Sequence, residues 1–520
     1  MLLLSNGSLS PFTTLPASFC RWVRSQPRRP CLMYGDHSAS YEEMGRAVRS
    51  CVQEVSSRLG GPIRSHPLAG LRLGRTPEYV VAYLSLACLG LPVVPFDEDS
   101  PSPEVREEMR SLGIAVMLTH DPDDRIPGSE TIAIRRAEPS GGTFPWGDGE
   151  GVPPEARTAD EVTAETPLVL LRTSGSTSHP KRVVLTHHNV LSSGRAHRRS
   201  VGQEAGDVSL AALPLSFGYC NTTQLVSQMD AGGTLALLPG TFMPSAFARA
   251  VRMSGATTTT LVPSMLALLA TWPGLGPDEL PTLRSIVFGG APPDETVLQV
   301  VHDRLPDVEL IQTYGQTEAG PRITTLRAAD SRRKPGAAGK AVPGVRIAIA
   351  GPDGRHLPAG ETGQVIVHGP GVMCGYHKDP AGTSEVLRNG WLHTGDLGRL
   401  DNDDFLWITG RMRNLIITAG KNVVPEEVEA HLCHMPGIAE AAVFGVPDRF
   451  RGEAVHALLI ADGEEQPSVE KIRSFLGALV AGYKIPRRIS FVQDLPRTRT
   501  GKISRGELST HEEGFRRNDR

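Results

Sequence analysis

Short apolar runs alternate along this chain with longer stretches whose apolar positions recur at helical spacing. PLVLL at 167–171 and SIVF at 285–288 have the length and composition of strands, while 264–271 reads as a helix. A further helix is predicted to open at Thr76, which stands as its cap with Pro77 in the first turn. Strands and helices in alternation predict an α/β fold. Beyond Gly410 a shorter unit follows, with strand-like AAVF at 441–444 and ALLI at 457–460 and a helix around 468–479. The stretch 137–166 is rich in Gly, Pro and acidic residues and is expected to be a long loop, and the charged end at 511–520 a disordered tail.

The strand at 167–171 empties into TSGSTSHPK at 173–181. Such a loop can wrap a polyphosphate. Gly175 lets backbone N–H groups approach closely, the hydroxyls of Thr173, Ser174, Ser176 and Thr177 can donate to phosphoryl oxygens, and Lys181 brings a positive charge. Taken alone, the segment fits a solvated connection equally well. It is not a P-loop of the GxxxxGK[ST] kind, since no second Gly precedes Lys181 at the required spacing.

Composition narrows the choices. A chain of 520 residues is too long for one core and should form two or more domains. With 54 basic and 57 acidic residues, a net charge of −3 makes no electrostatic case for nucleic acid or an anionic membrane. Seven cysteines without paired spacing suggest reduced thiols and a cytoplasmic protein. No apolar run reaches about 18 residues, and the opening Met1-Leu2-Leu3-Leu4 is too short for a signal-peptide core. His431, Cys433 and His434 lie close together, but one Cys and two His on a helix-like segment are more commonly packing and surface than a zinc site.

Four more motifs follow the loop in order: YGQTE at 314–318, TGD at 394–396, GR at 410–411 and TGK at 500–502, with GLPVVP at 90–95 upstream of the loop and GGAP at 289–292, GETG at 360–363, GY at 375–376 and PEEVE at 425–429 falling in order too. The ordered set resembles the adenylate-forming superfamily, which includes acyl- and aryl-CoA synthetases, the adenylation domains of nonribosomal peptide synthetases, and firefly luciferase. The resemblance runs through essentially the whole chain. It implies a large N-terminal multi-sheet α/β domain over 1–412, carrying the AMP-binding motifs, and a small mobile C-terminal α+β domain over 413–520.

The implied reaction is attack of a carboxylate on the α-phosphorus of ATP, with release of pyrophosphate, which requires cations and backbone donors around a spreading negative charge. By resemblance, Thr173 to Thr177 with Lys181 hold the β- and γ-phosphates, Thr317 contacts the α-phosphate, and Glu318 binds Mg²⁺. Asp396 and Arg411 bind the ribose, Gly289, Gly290 and Ala291 face the adenine with Tyr314 and Gly315, and Lys502 lies between carboxylate and α-phosphate in the transition state. Arg413 stands at the hinge position, where Lys or Asp is usual. Ser178 and Arg182 occupy positions where the family has Gly, so a positive φ at either would cost about 1 kcal/mol.

The segment expected to line the acyl pocket, LPLSFGYCN at 213–221, offers Phe217 and Tyr219 and no acidic side chain. A buried α-ammonium would have no counter-charge there, so the acid is expected to be an aryl or acyl acid without an α-amino group. The acyl adenylate is expected to pass to a thiol, that of coenzyme A or, alternatively, the phosphopantetheine of a separate carrier protein. Other readings have distinct signatures: a luciferase-like oxygenase would consume oxygen, and a kinase or P-loop ATPase would release ADP rather than AMP.

Overall fold

PLVLL becomes the strand Pro167–Arg172, with Leu168 to Leu171 all buried. A continuous buried run requires cover on both faces, which a largely parallel sheet provides. The computed structural model describes residues 13–59, 67–139, 162–173, 181–291, 294–419, 421–463, 466–497 and 503–508. These fall into two compact units. The first holds the residues up to Thr173, Lys181 to Arg346 and Val367–Leu392; the second holds Ile347–Ile366 and the chain from His393 onward.

In the first unit a seven-stranded sheet runs in the order Gly375–Tyr376, Arg182–Thr186, Pro167–Arg172, Val93–Pro95, Ala69–Arg72, Val116–Thr119, Glu130–Ala133. A nine-stranded sheet contains Glu309–Tyr314, Ser285–Gly289, Thr258–Leu261, Val208–Ala211 and Thr234–Leu237 as consecutive parallel neighbours. One core layer of this unit gathers Leu210, Phe247, Leu261, Leu269, Ile286 and Phe288. The register Gly289↔Thr313 brings two strand ends together, so that Gly289 and Tyr314 stand at the carboxyl ends of adjacent parallel strands. That edge is where open α/β sheets bind ligands.

Helices form where their start signals predict. Pro263–Thr271 and Pro77–Cys88 both carry Pro in the first turn, and Val469–Gly477 is capped by the Ser468 hydroxyl, which accepts from the Lys471 amide. Thr76 stands at its cap position but makes no side-chain cap bond; its hydroxyl donates instead to the Leu73 carbonyl at 2.8 Å.

In the second unit Asp396 to Leu400 pair with Leu406–Arg411, and a further sheet is built on the long hairpin Ile438–Asp448 and Gly452–Ala461. Helices Pro425–Cys433 and Val469–Gly477 pack on it through Val428, Leu432, Ile472 and Leu476. Residues 393–412, expected with the large domain, cluster here because the hairpin turns directly against the helix that follows. A Cβ on Gly410 would lie 2.3 Å from Val424 Cγ1 and 2.8 Å from Glu426 Oε2. No helix among the described residues is long and apolar enough to cross a membrane.

Candidate active site

The loop 173–181 is anchored at both ends. Strands Pro167–Arg172 and Arg182–Thr186 pair antiparallel, and the Thr173 amide donates to the Lys181 carbonyl at 3.0 Å. Ser174, Gly175, Ser176, Thr177 and Ser178 lie outside the described residues. Lys181 projects from the far anchor, with Nζ 2.9 Å from Asp379 Oδ2 and 4.6 Å from the centre of the Tyr376 ring. The lysine holds the Asp379 carboxyl below the usual carboxylate range. The Tyr376 hydroxyl in turn donates to Glu318 Oε1 at 2.9 Å. Burial first, and the Glu318 charge second, push that phenol above its ordinary pKa.

Thr317 and Glu318 sit on the short 3₁₀ turn Thr317–Ala319 directly after the strand Glu309–Tyr314. Gly320 ends the turn in the left-handed region at φ +64°. The chain then doubles back across Gly315, where a Cβ would lie 2.3 Å from the Pro321 carbonyl oxygen, so only glycine fits. Gly289 is constrained in the same way: a Cβ there would lie 2.6 Å from Thr313 Oγ1 and 3.2 Å from the Tyr219 hydroxyl. Gly290 follows with φ +94°, and Ala291 is exposed. The expected pocket segment reaches the same place. Tyr219 and Thr313 share a hydroxyl contact at 2.7 Å, and a Cβ on Gly218 would be 3.7 Å from the Thr317 methyl group. Tyr219 is half-buried, whereas Phe217 is exposed.

Arg182 avoids the cost that a positive φ would carry at this position. It is not among the non-glycine residues with positive φ; it opens a strand with its side chain buried. Its guanidinium bonds Glu108 at 2.8 Å, the Pro95 carbonyl at 2.9 Å and the Leu170 carbonyl at 3.3 Å, and lies over the Phe96 ring. A side chain in place of glycine thus fastens the base of the loop.

In the second unit, Asp396 and Arg411 face each other across the hairpin in register, with Arg411 Nε 2.9 Å from Asp396 Oδ1. Asp396 is buried and Arg411 is half-buried. The Asp396 amide donates to Thr394 Oγ1 at 3.0 Å. Arg413 lies just beyond, in the turn Met412–Asn414, its pKa lowered first by burial and then by the neighbouring Arg411 charge. Lys502 lies outside the described residues, but both flanks are fixed. Arg497 and Ile503 form a β-bridge, and Arg505 pairs with Glu429 at 2.7 Å while donating to the Val443 carbonyl at 2.8 Å.

Residues 19–377 match the AMP-binding enzyme family, and 427–502 match the AMP-binding enzyme C-terminal domain. The chain belongs to the AMP-binding enzyme family. Among the relatives of this AMP-binding enzyme, the fatty acid–[acyl-carrier-protein] ligase ScoC of Streptomyces coeruleorubidus is 33 % identical over 94 % of each chain. The feruloyl-CoA synthase of an Amycolatopsis species is 31 % identical over 94 % of this chain and 97 % of its own. The structure of ATP-bound MatB from Rhodopseudomonas palustris is similar with a TM-score of 0.83 at 26 % identity, covering 96 % of this chain and 99 % of that one.

Three side chains of this AMP-binding enzyme at the first-unit site escaped the sequence reading. Tyr376 and Asp379 stand some 60 residues past YGQTE and reach it only because Gly375–Tyr376 pairs with the strand Arg182–Thr186. Arg322 follows YGQTE closely, yet nothing local marks it. A Gly375-Tyr376 pair standing in family order was the one available signal.

Proposed function

We propose that this enzyme activates a carboxylic acid with ATP, forms an acyl adenylate with release of pyrophosphate, and transfers the acyl group to the thiol of coenzyme A. The observation that carries the reading is the array Lys181, Tyr376, Glu318 at the end of the strand Glu309–Tyr314, a cation and a carboxylate held at the carboxyl edge of a parallel sheet. Lys181 and the hydroxyl of Thr173 bind phosphoryl oxygens, with Ser174 to Thr177 contributing the rest of the loop. Thr317 contacts the α-phosphate. Gly289, Gly290 and Ala291 offer backbone to the adenine beside Tyr314, and the Asp396 carboxylate accepts from the ribose hydroxyls beside Arg411.

Glu318 fits a divalent cation: Oε1 is oriented by Tyr376, while Oε2 has no partner among the described residues and the side chain is partly exposed. Mg²⁺ held there would neutralise charge on the phosphate oxygens. Lys502 supplies a positive charge between the reacting carboxylate and the α-phosphate, and Arg413 is the pivot by which the C-terminal part moves between the two half-reactions.

An acid without an α-amino group fits the pocket chemistry. Beside Tyr219 lies a buried arginine, Arg322, and no carboxylate is present in 213–221, so a substrate ammonium would meet a like charge. The similarity to a ligase that acylates a carrier protein supports a second reading, in which the thiol belongs to a separate carrier. The seven cysteines, scattered without paired spacing, support a cytoplasmic location.

The test is exchange of labelled pyrophosphate into ATP across a panel of acids with Mg²⁺, then thiol transfer to coenzyme A or a carrier. Exchange dependent on the acid, and AMP as product, are expected. Lys502→Ala should lower adenylate formation by orders of magnitude while sparing transfer from a supplied adenylate. ADP as product would overturn the reading.

A further inference from the structure

The largest fully buried side chain of the described residues is an arginine, Arg322, with 1 % of its surface exposed. It follows the turn Thr317–Ala319, and the bare backbone at Gly315 lets its peptide fold back against YGQTE. Its guanidinium lies over the Tyr219 ring, 5.0 Å from the centroid. One nitrogen, Nη2, donates to His197 Nδ1 at 2.9 Å. The other two, Nε and Nη1, have no hydrogen-bond partner among the described residues.

His197 does not offset the charge. It is itself buried, and burial first, with Arg322 second, drives its pKa far below the ordinary histidine value, so it is a neutral acceptor. Among the described residues no Asp or Glu bonds Arg322, and Tyr219 is the one titratable group that favours its charged form. Arginine does not escape by losing its proton. A buried guanidinium with two idle nitrogens and no counter-ion is expensive, and such a group is retained where something outside the chain completes it.

Its position says what that is. The half-buried Tyr219 lies against Arg322 through its ring, and the Tyr219 hydroxyl bonds Thr313 beside Gly289. Arg322 therefore lies one side chain, Tyr219, behind the strand end where the adenylate is proposed to form. We propose that Arg322 is a specificity-determining residue that binds a second carboxylate on the acid, remote from the carboxylate that attacks ATP. The enzyme thus activates one end of a dicarboxylic acid. A carboxylate can take two parallel N–H bonds from a guanidinium, which suits a donor with nitrogens to spare. The inference rests on the acid-activation reading and names the substrate class for that site.

The experiment is pyrophosphate exchange with aliphatic and aryl dicarboxylic acids, each beside its own monomethyl ester. The diacids should exceed their esters in kcat/KM by about a hundredfold, as expected for leaving a buried charge unpaired. Arg322→Met should collapse that ratio toward one; Arg322→Lys, which keeps the charge and loses the fork, should retain part of it. Binding is read independently by thermal shift, in which diacids should raise the wild-type melting temperature more than their esters do. If esters and diacids exchange equally well, or if Arg322→Met raises KM for ATP alike with every acid, the proposal falls while acid activation stands. If no acid supports exchange, the underlying reading fails instead.

Discussion

Arg182 and Arg322 belong to the same unit and are almost equally withdrawn from solvent, at 4 % and 1 % exposure, yet their surroundings are opposite. Arg182 is satisfied on every side by Glu108, two backbone carbonyls and the face of Phe96. Arg322 has a neutral imidazole, an aromatic face and two idle nitrogens. Burial depth alone therefore says little about what a buried charge is for. A guanidinium whose bonds are all made within the chain is structural, and one whose bonds are left open is held for a ligand.

The largest effect separating the two regions is expected on acidification. His187, which accepts from the Leu15 amide, is pushed down to about 3 by burial, and His197 well below 6.5 by burial and by Arg322. The unfolded chain binds a proton on each below about pH 6.5 and the folded chain does not, so stability is present above that pH and lost as pH falls beneath it. His187 should contribute about 2 kcal/mol of loss between pH 7 and pH 5, and His197 a further loss of the same sign. Denaturant titrations across that range measure it. In Arg322→Met the loss should shrink, since the cation facing His197 is gone. His187, whose pKa is lowered by burial, serves as the internal control.

Next in size is Arg182→Met. It breaks a buried ion pair and frees two carbonyls, and should cost about 3 kcal/mol, read as a lower denaturation midpoint at unchanged slope. Arg322→Met removes an uncompensated charge instead, and its unfolding free energy should stay within about 1 kcal/mol of wild type or rise. Equal losses in the two variants would break the comparison. The smallest effect is expected for Asp379→Asn. The Lys181 pair is partly exposed on both sides, so the denaturation midpoint should barely move, and less still in high salt.

The same pair of arginines shows what the chain reveals before folding. Strands at 167–171 and 285–288, the helix after Pro263 and the ordered motifs were legible, because period, caps and glycine spacing are local properties. Arg182 was legible only as a departure from glycine. Its compensation comes from Glu108 and Pro95, more than 70 residues away, and no local rule reports that. The pocket's charge was sought in 213–221, where an acid was absent, while the residue that sets it arrives about 100 positions later by way of the close approach at Gly315. The close packing of Gly410 on Val424 and Glu426 is likewise a tertiary fact that no local pattern reports.

The central claim is that a carboxylate oxygen attacks the α-phosphorus of ATP, and isotope transfer tests it most directly. With an acid substrate labelled with ¹⁸O at both carboxyl oxygens, a single turnover in the presence of coenzyme A should yield AMP carrying one ¹⁸O and a thioester that retains the other. Unlabelled AMP, or ¹⁸O recovered in inorganic phosphate together with ADP, would contradict the account.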